Sequence, residues 1–418
     1  MSPSSSIRRV GIVFSGGPAP ATNAVISACA LQFLDAGIEV FGILDGYERL
    51  QAYTPEHPLV SGRDYLDLHV ADVSGIRNRK SILLRTSHAN PSQDILGDAD
   101  LLDPTRNGAI AAVHAALESL EIDGLVSIGG DETLRTANHI HRFGRLVPDR
   151  RPISVVHLPK TIDNDYFGID WTFGFASAVD FAAREIRNLG ADAQSTSTWY
   201  VLELMGRQAG WLTYAAGIAG EATRMISVED VGKVLDIGAL AEELTALMVG
   251  RAARGKPYGI ICVAEGLATR LPGADDAVDD RGYSLLGSAH VGELLAKTME
   301  AAWERSTGDP IRVRTKQIGY EARCADPVAF DILLGSQLGV GAFRALVREG
   351  LSGHMVSVRD QLELVYVPFD DLIDPATLRP RVRFIDKHSD FYRLARALEY
   401  NRPTEEMCGP DSSDRCGF

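Results

Sequence analysis

Four short segments of this chain carry residue types whose order could move a phosphoryl group. In Pro159-Lys160-Thr161-Ile162-Asp163-Asn164-Asp165 a lysine and two carboxylates crowd together. Transfer to a hydroxyl needs a base at the acceptor, a metal, and cationic charge on the group in flight; this segment offers a candidate for each. Asp-Asn-Asp loops are also common on protein surfaces, so alone the segment does not decide. Glu203-Leu204-Met205-Gly206-Arg207-Gln208-Ala209-Gly210 adds Arg207, which could stabilise equatorial phosphoryl oxygens as charge builds, or be a plain surface arginine. In Ser15-Gly16-Gly17-Pro18-Ala19-Pro20-Ala21-Thr22-Asn23, backbone N–H groups and a following helix could cradle phosphate, although Gly-Gly-Pro is equally a tight turn. In Ser127-Ile128-Gly129-Gly130-Asp131-Glu132-Thr133, Asp131 could hold a divalent cation against a phosphate or simply cap a helix.

The elements that must position these residues show in the hydropathy pattern. Short apolar, β-branched runs at 10–14, 40–43, 125–128, 153–158, 200–204 and 258–263 predict strands. Stretches of helical spacing at 22–36, 107–120, 133–143, 176–189, 240–253, 290–304 and 327–349 alternate with them. Such alternation implies βα units and a mainly parallel sheet, where chemistry gathers at strand C-termini. All four segments lie at such ends. Residues 271–283 and the tail from about 401 to 418 read as loops, and a lobe boundary is expected near residues 150–160.

Of the 418 residues, 45% are hydrophobic and 23% charged, which suits a folded protein with two cores, and the formal net charge of −14 argues against nucleic acid or an anionic membrane as partner. The five cysteines form no C-x-x-C pair, a pattern that fits reduced thiols and a cytoplasmic location. No apolar run approaches the roughly 20 residues of a membrane helix, and the Ser-rich start lacks the apolar core of a signal peptide.

The four segments, in this order and spacing, resemble the phosphofructokinase family, whose signatures are a Gly-Gly loop after the first strand, G-G-D, P-[GK]-T-I-D-N-D and M-G-R. A late segment agrees: Gly319-Tyr320-Glu321-Ala322-Arg323-Cys324-Ala325-Asp326-Pro327, then Phe330-Asp331. The resemblance implies an α/β fold of two Rossmann-like lobes with mainly parallel sheets and the active site in the cleft between them. It further implies a donor-binding lobe at 1–155, an acceptor-binding lobe at 156–350, and a C-terminal segment, 351–418, returning across the lobes. Asp163 would be the base for the sugar hydroxyl, with Lys160, Thr161 and Arg207 in the catalytic group. Asp131 would serve Mg²⁺, with Asp165 assisting or lining the acceptor. Gly16, Gly17, Gly130, Glu132, Arg85 and His88 would line the donor site. Met205, Gly206, Glu265, Arg314, Tyr320 and Arg323 would bind the acceptor, with Tyr320 where many relatives have histidine. A homodimer or homotetramer is the implied assembly.

Two positions speak to the donor. ATP users of the family resemble G-G-D-G and P-G-T-I-D-N-D, whereas pyrophosphate users resemble G-G-D-D and P-K-T-I-D-N-D. Here Glu132 would collide with and repel the α-phosphate of a nucleotide, and Lys160 gives pyrophosphate a point charge. A plain Glu132–Lys160 ion pair is the alternative, and it too would fill nucleotide space. The expected reaction is transfer from pyrophosphate to the 1-hydroxyl of fructose 6-phosphate. The alternatives are ATP as donor, an acceptor such as sedoheptulose 7-phosphate, a nucleoside or a cyclitol, or a non-catalytic sugar-phosphate-binding paralogue.

Several departures stand beside the resemblance. The loop 80–91 replaces glycines of the family's donor loop, Arg85 among the replacements, and His88 stands for a phosphate-binding arginine; lost glycines here imply altered backbone or altered function. Ala21-Thr22 stands where Gly-Ile or Gly-Met is usual, and Thr198 and Gly190 stand where relatives carry charge.

Overall fold

The computed structural model describes residues 7–273, 290–374 and 379–399; the tail 401–418 and most of the 271–283 loop lie outside the described residues. Two compact units form, Met1–Phe181 with Tyr320–Arg383, and Ala182–Gly319 with Phe384–Phe418. This division departs from the boundary expected near residue 155. Residues 156–181 and 320–350 join the first unit because they complete its sheet and core, and the last segment divides at Arg383.

In chain order the strands are β1 (Arg9–Ser15), β2 (Glu39–Ile43), β3 (Tyr65–Leu68), β4 (Gly124–Gly129), β5 (Ser154–Pro159), β6 (Trp199–Leu204), β7 (Arg224–Ile226), β8 (Gly259–Ala264), β9 (Val313–Ile318), β10 (His354–Arg359) and β11 (Glu363–Pro368). The first unit holds a sheet ordered β11-β10-β5-β4-β1-β2-β3, parallel except for β3 and β11 at its edges. Val10, Ile12, Val13, Phe14, Val126, Ile128, Val155, Val156 and Leu158 are fully buried, so β1, β4 and β5 read as continuous apolar runs rather than alternating ones. Register then aligns the chemistry. Ser15 pairs with Gly129 and Gly129 with Pro159, so three of the four segments leave the sheet at one level.

Helix Thr22–Asp35 packs on helix Ala329–Phe343, which continues to Arg348 in a wider turn. By length and composition alone Ala329–Arg348 is apolar enough to cross a membrane, contrary to the sequence expectation. Its apolar residues serve burial instead: Leu334, Leu338, Ala342 and Phe343 are buried, and Gly335 and Gly339 let the two helices approach. A Cβ on Gly339 would stand 2.6 Å from the Val25 carbonyl oxygen and 2.8 Å from the Cys29 nitrogen. Backbone atoms cannot swing aside, so Gly339→Ala should cost about 1–3 kcal/mol in denaturant unfolding. An unchanged midpoint would mean that the helices separate freely.

The first turns of helices Phe175–Thr196 and Ala329–Phe343 share a buried carboxylate. Asp331 accepts from the Ser177 N–H at 2.7 Å and its hydroxyl at 2.5 Å. Burial outweighs these bonds and pushes the Asp331 pKa up to about 6. Because the folded state binds this proton more tightly than the unfolded one, the contribution is fully present below the ordinary carboxylate value and is lost as pH rises through about 6. Between pH 5 and 7.5 the wild type should therefore lose about 1 kcal/mol more stability than Asp331→Asn, measured by urea unfolding at both pH values. Equal losses would contradict the assignment.

The second unit holds a fully parallel sheet, β7-β8-β6-β9. Its core joins Trp199, Val201, Ile261 and Val263 to Leu244 and Met248 of helix Ile237–Ala252 and Leu295 and Met299 of helix Val291–Thr307. Here too register gathers loops: Leu204 pairs with Ala264 and with Ile318, so Met205, Glu265 and Gly319 follow at one level.

Candidate active site residues

In the first unit the turn after β5 alternates in exposure. Ile162, Asn164 and Tyr166 are buried, whereas Thr161, Asp163 and Asp165 are partly exposed, so the two carboxylates share one face. The reversal depends on Asn164, whose φ of 54° is the left-handed region that asparagine tolerates. Its side chain accepts from the Thr172 N–H at 2.9 Å and donates to the Asp170 carbonyl at 3.2 Å. The Thr161 hydroxyl accepts from the Asp163 N–H at 3.0 Å. Lys160 is buried, with its ammonium 5.7 Å from the centre of the Phe14 ring; a Cβ on Gly16 would lie 3.7 Å from that nitrogen. This lysine is therefore aimed at the first Gly-Gly loop.

The Gly129-Gly130-Asp131 turn opens helix Asp131–Leu146, and two acidic residues in its first turn suit the positive end of the helix. Asp131 accepts from the Glu132 N–H at 2.9 Å. Glu132 accepts from Asn90 at 2.9 Å and faces Arg135 at 3.6 Å; these partners, rather than the Lys160 considered from the sequence, hold its carboxylate.

Behind this turn runs a buried hydrogen-bonded row. Tyr166 donates to the Gly130 carbonyl at 3.1 Å, so its oxygen accepts from His157 Nε2 at 2.8 Å. Nδ1 of His157 then accepts from Ser127 at 3.4 Å, and Ser127 from Tyr47 at 3.0 Å. Burial pushes the His157 pKa down to about 3, so the row stays neutral. The Gly130 carbonyl, which also accepts from the Leu134 N–H at 2.9 Å, is held inward. A trans peptide then turns the Asp131 N–H the opposite way.

The loop 80–91 rests on the first loop. Gly16 N–H donates to the Ser87 carbonyl at 2.9 Å, and Thr86 donates to the Gly16 carbonyl at 2.6 Å. Asn23 clamps the loop by donating to the Arg79 and Ser81 carbonyls, each at 2.8 Å, and accepting from the Leu83 N–H at 2.9 Å. Arg85 and Ala21, which replace family glycines, keep left-handed backbones with φ of 56° and 62°. A left-handed backbone at a residue with a side chain costs about 1–2 kcal/mol. The Arg85 side chain pairs with Asp45 at 2.9 Å, and His88 is exposed. Arg323 belongs to this unit, not to the expected acceptor lobe. Its guanidinium lies over the exposed Tyr320 ring at 4.9 Å and would stand 3.2 Å from a Cβ on Gly17.

In the second unit Met205 is buried and Arg207 exposed, on a turn whose Gly206 has φ of 129°. Glu265 is buried, and its carboxylate accepts from the Gly206 N–H at 3.4 Å. Gly266 has no room for a side chain, since a Cβ would stand 2.4 Å from the Arg207 carbonyl oxygen. Glu229 accepts from the Gly210 N–H at 3.1 Å and fixes the other end of the turn. Arg314 is half exposed and bonds the Tyr200 hydroxyl at 3.0 Å, with Asp192 at 3.5 Å. Sequence reasoning singled out the groups on these turns but passed over their supports: Asn23, Asn164, His157, Tyr166, Glu229 and Gly266. Only Asn23 and Asn164 stood inside the four segments.

Magnesium fits the donor set of the first unit. Burial, then the charges of Asp131 and Asp165, hold the Tyr166 pKa far above its ordinary value, so both carboxylates act on one hydroxyl. Among the described residues no three metal-ligating side chains cluster. Mg²⁺ that keeps waters and phosphate oxygens asks for only one or two carboxylates.

Glycine-rich turns, a buried lysine and two carboxylates stand at aligned strand ends of the first unit, and an arginine turn at a strand end of the second. The chain belongs to the phosphofructokinase family, whose model, described as Phosphofructokinase, matches residues 9–346. It is 32% identical to the pyrophosphate–fructose 6-phosphate 1-phosphotransferase of Thermotoga maritima, over 97% of this chain and 93% of the relative. It is 36% identical to an ATP-dependent 6-phosphofructokinase of Chloroflexus aggregans, over 94% of this chain and 96% of the relative. In fold it is similar to the pyrophosphate-dependent phosphofructokinase of Nitrosospira multiformis, with a TM-score of 0.69, 17% identity, and coverage of 94% of this chain and 93% of that one.

Proposed function

We propose that this chain transfers a phosphoryl group from inorganic pyrophosphate to the 1-hydroxyl of fructose 6-phosphate, with Mg²⁺. Asp163 takes the hydroxyl proton, the freed oxygen attacks the terminal phosphorus, the bridging P–O bond breaks, and phosphate leaves with the bond's electrons. Lys160 and the N–H groups of Gly17 and Asp131 hold the donor, while Arg207 meets the charge that builds on the equatorial oxygens. Asp131 and Asp165 would hold Mg²⁺, which would supply charge neutralisation on the donor phosphates. Glu265, Arg314 and Arg323 are proposed for the sugar phosphate.

The observation that carries the donor choice is Glu132 on the first turn of its helix. Asn90 and Arg135 hold its carboxylate in place, so a nucleotide cannot displace it without breaking those contacts. ATP is the second reading, favoured by the Chloroflexus relative's name. Phosphorylated product, assayed with each donor over fructose 6-phosphate and a panel of other sugar phosphates, nucleosides and cyclitols, tests both readings. Product from pyrophosphate and fructose 6-phosphate supports the proposal; product only with another pair overturns it.

We also propose a homodimer or homotetramer working in a reducing compartment such as the cytoplasm, where the free thiols Cys29, Cys262 and Cys324 persist. Light scattering of active enzyme should return two or four chain masses, and a single mass would contradict that assembly.

A further inference from the structure

The turn that carries Asp163 and Asp165 is held from outside by a distant part of the chain. Tyr166 forms an antiparallel bridge with Val382, and the Arg383 N–H donates to the Asp165 carbonyl at 2.8 Å. The Arg383 guanidinium donates to the Asn164 carbonyl from Nη2 at 2.6 Å and from Nε at 3.3 Å. On its other side the stretch is anchored. Arg381 N–H donates to the Leu372 carbonyl at 2.9 Å, Asp374 N–H to the Arg379 carbonyl at 2.9 Å, and Ile373 bridges to Pro380. The Arg381 guanidinium sits 5.8 Å from the centre of the Phe167 ring. All of these residues belong to the first unit.

Two successive carbonyls of the turn, those of Asn164 and Asp165, are therefore drawn to one residue. Asn164 is the left-handed position on which the reversal depends, so its peptide is the one with most to lose from rotation. A guanidinium is suited to this task because its donors form a rigid planar fork and it stays charged even when largely buried. The charges of Asp170 and Asp165 stand close enough to offset part of the burial that lowers the Arg383 pKa. Simple chain packing would not need a cation there. An apolar residue could cover the turn as well, and burying a guanidinium is costly unless its bonds are used.

We propose that Arg383 is a positioning residue for the reaction: it fixes the Asn164 and Asp165 peptides, so that the Asp163 and Asp165 carboxylates face the substrates in one orientation. This inference rests on the reading of Asp163 as the base. A misplacement near 1 Å at a reacting group costs roughly 10²-fold in rate, so the effect should fall on turnover rather than on substrate binding.

The test compares wild type, Arg383→Met and Arg383→Lys, each as the full chain. Methionine keeps the aliphatic stem and removes the donors, whereas lysine keeps the charge and one point of donation. Arg383→Met should lower kcat by about 30- to 100-fold, with the KM for pyrophosphate and for fructose 6-phosphate each within about threefold, and Arg383→Lys should recover about a third to a tenth of wild-type turnover. Amide exchange in the peptide spanning 161–168 should rise at least about tenfold in Arg383→Met and little elsewhere. This last readout stands whatever the donor proves to be. If the wild type does not phosphorylate fructose 6-phosphate from pyrophosphate, the functional reading fails, and unchanged exchange at 161–168 in Arg383→Met separately overturns the positioning role. That role is also overturned by unaltered kcat in a folded Arg383→Met, by KM and kcat shifts that follow global stability, or by failure of both variants to fold.

Discussion

Asp163→Asn is expected to lower turnover by about 10²–10⁴-fold while the protein remains folded. The substitution preserves shape and one acceptor oxygen but removes the group that can take a proton. Little else should move. Asp163 is partly exposed, and its N–H bond to Thr161 is made by the backbone. The neighbouring Asn164, not Asp163, carries the turn through its left-handed backbone and its bonds to Thr172 and Asp170. Substrate KM values should change far less than kcat, since an interaction with the departing proton exists only along the reaction path. Turnover near the wild-type value in the purified variant would remove Asp163 from this role.

The double substitution Glu132→Gly with Lys160→Gly should abolish the preference for pyrophosphate, with kcat/KM for that donor falling about 10- to 100-fold from loss of a charge-assisted contact. Lys160 has a defined direction: it is buried, lies near the Phe14 ring and is aimed at Gly16. Glu132 has defined partners in Asn90 and Arg135, so its removal opens space in which Arg135 faces the turn without its anion. Some ATP use should accordingly appear. Kinetics with both donors in wild type and variant measure the exchange; an unmodified enzyme that prefers ATP would refute the assignment of both residues.

The strands β1, β2, β4, β5, β6 and β8 could be read from the sequence because burial on both faces makes them continuous apolar runs. β9 could not. Val313–Ile318 buries only its two end residues, so its interior reads as polar. β11 is an antiparallel edge strand of mostly intermediate exposure, and β7 has only three residues. The return of the late segment was expected from 351 onward, but helix Ala329–Phe343 already belongs to the first unit, and nothing local in its sequence says which sheet it covers.

The candidate side chains were legible because phosphoryl transfer restricts its reacting groups to a few residue types in a few places. Their supports were not. His157 reads as one more residue of an apolar strand, and its bond to Tyr166 appears only when the turn is folded. Arg383 lies 219 positions from the carbonyl it holds, beyond any local pattern. Two of the replaced glycines were visible in the sequence as Ala21 and Arg85, but their backbone geometry was not. Both positions keep the left-handed geometry that glycine would have adopted freely.

The most direct test is competition in one tube, with wild-type enzyme, Mg²⁺, fructose 6-phosphate and equal concentrations of pyrophosphate and ATP, followed by ³¹P NMR. The pyrophosphate signal should fall as phosphate and fructose 1,6-bisphosphate grow in equal amounts, with ATP untouched. Growth of ADP and the bisphosphate while pyrophosphate persists would contradict the choice of donor.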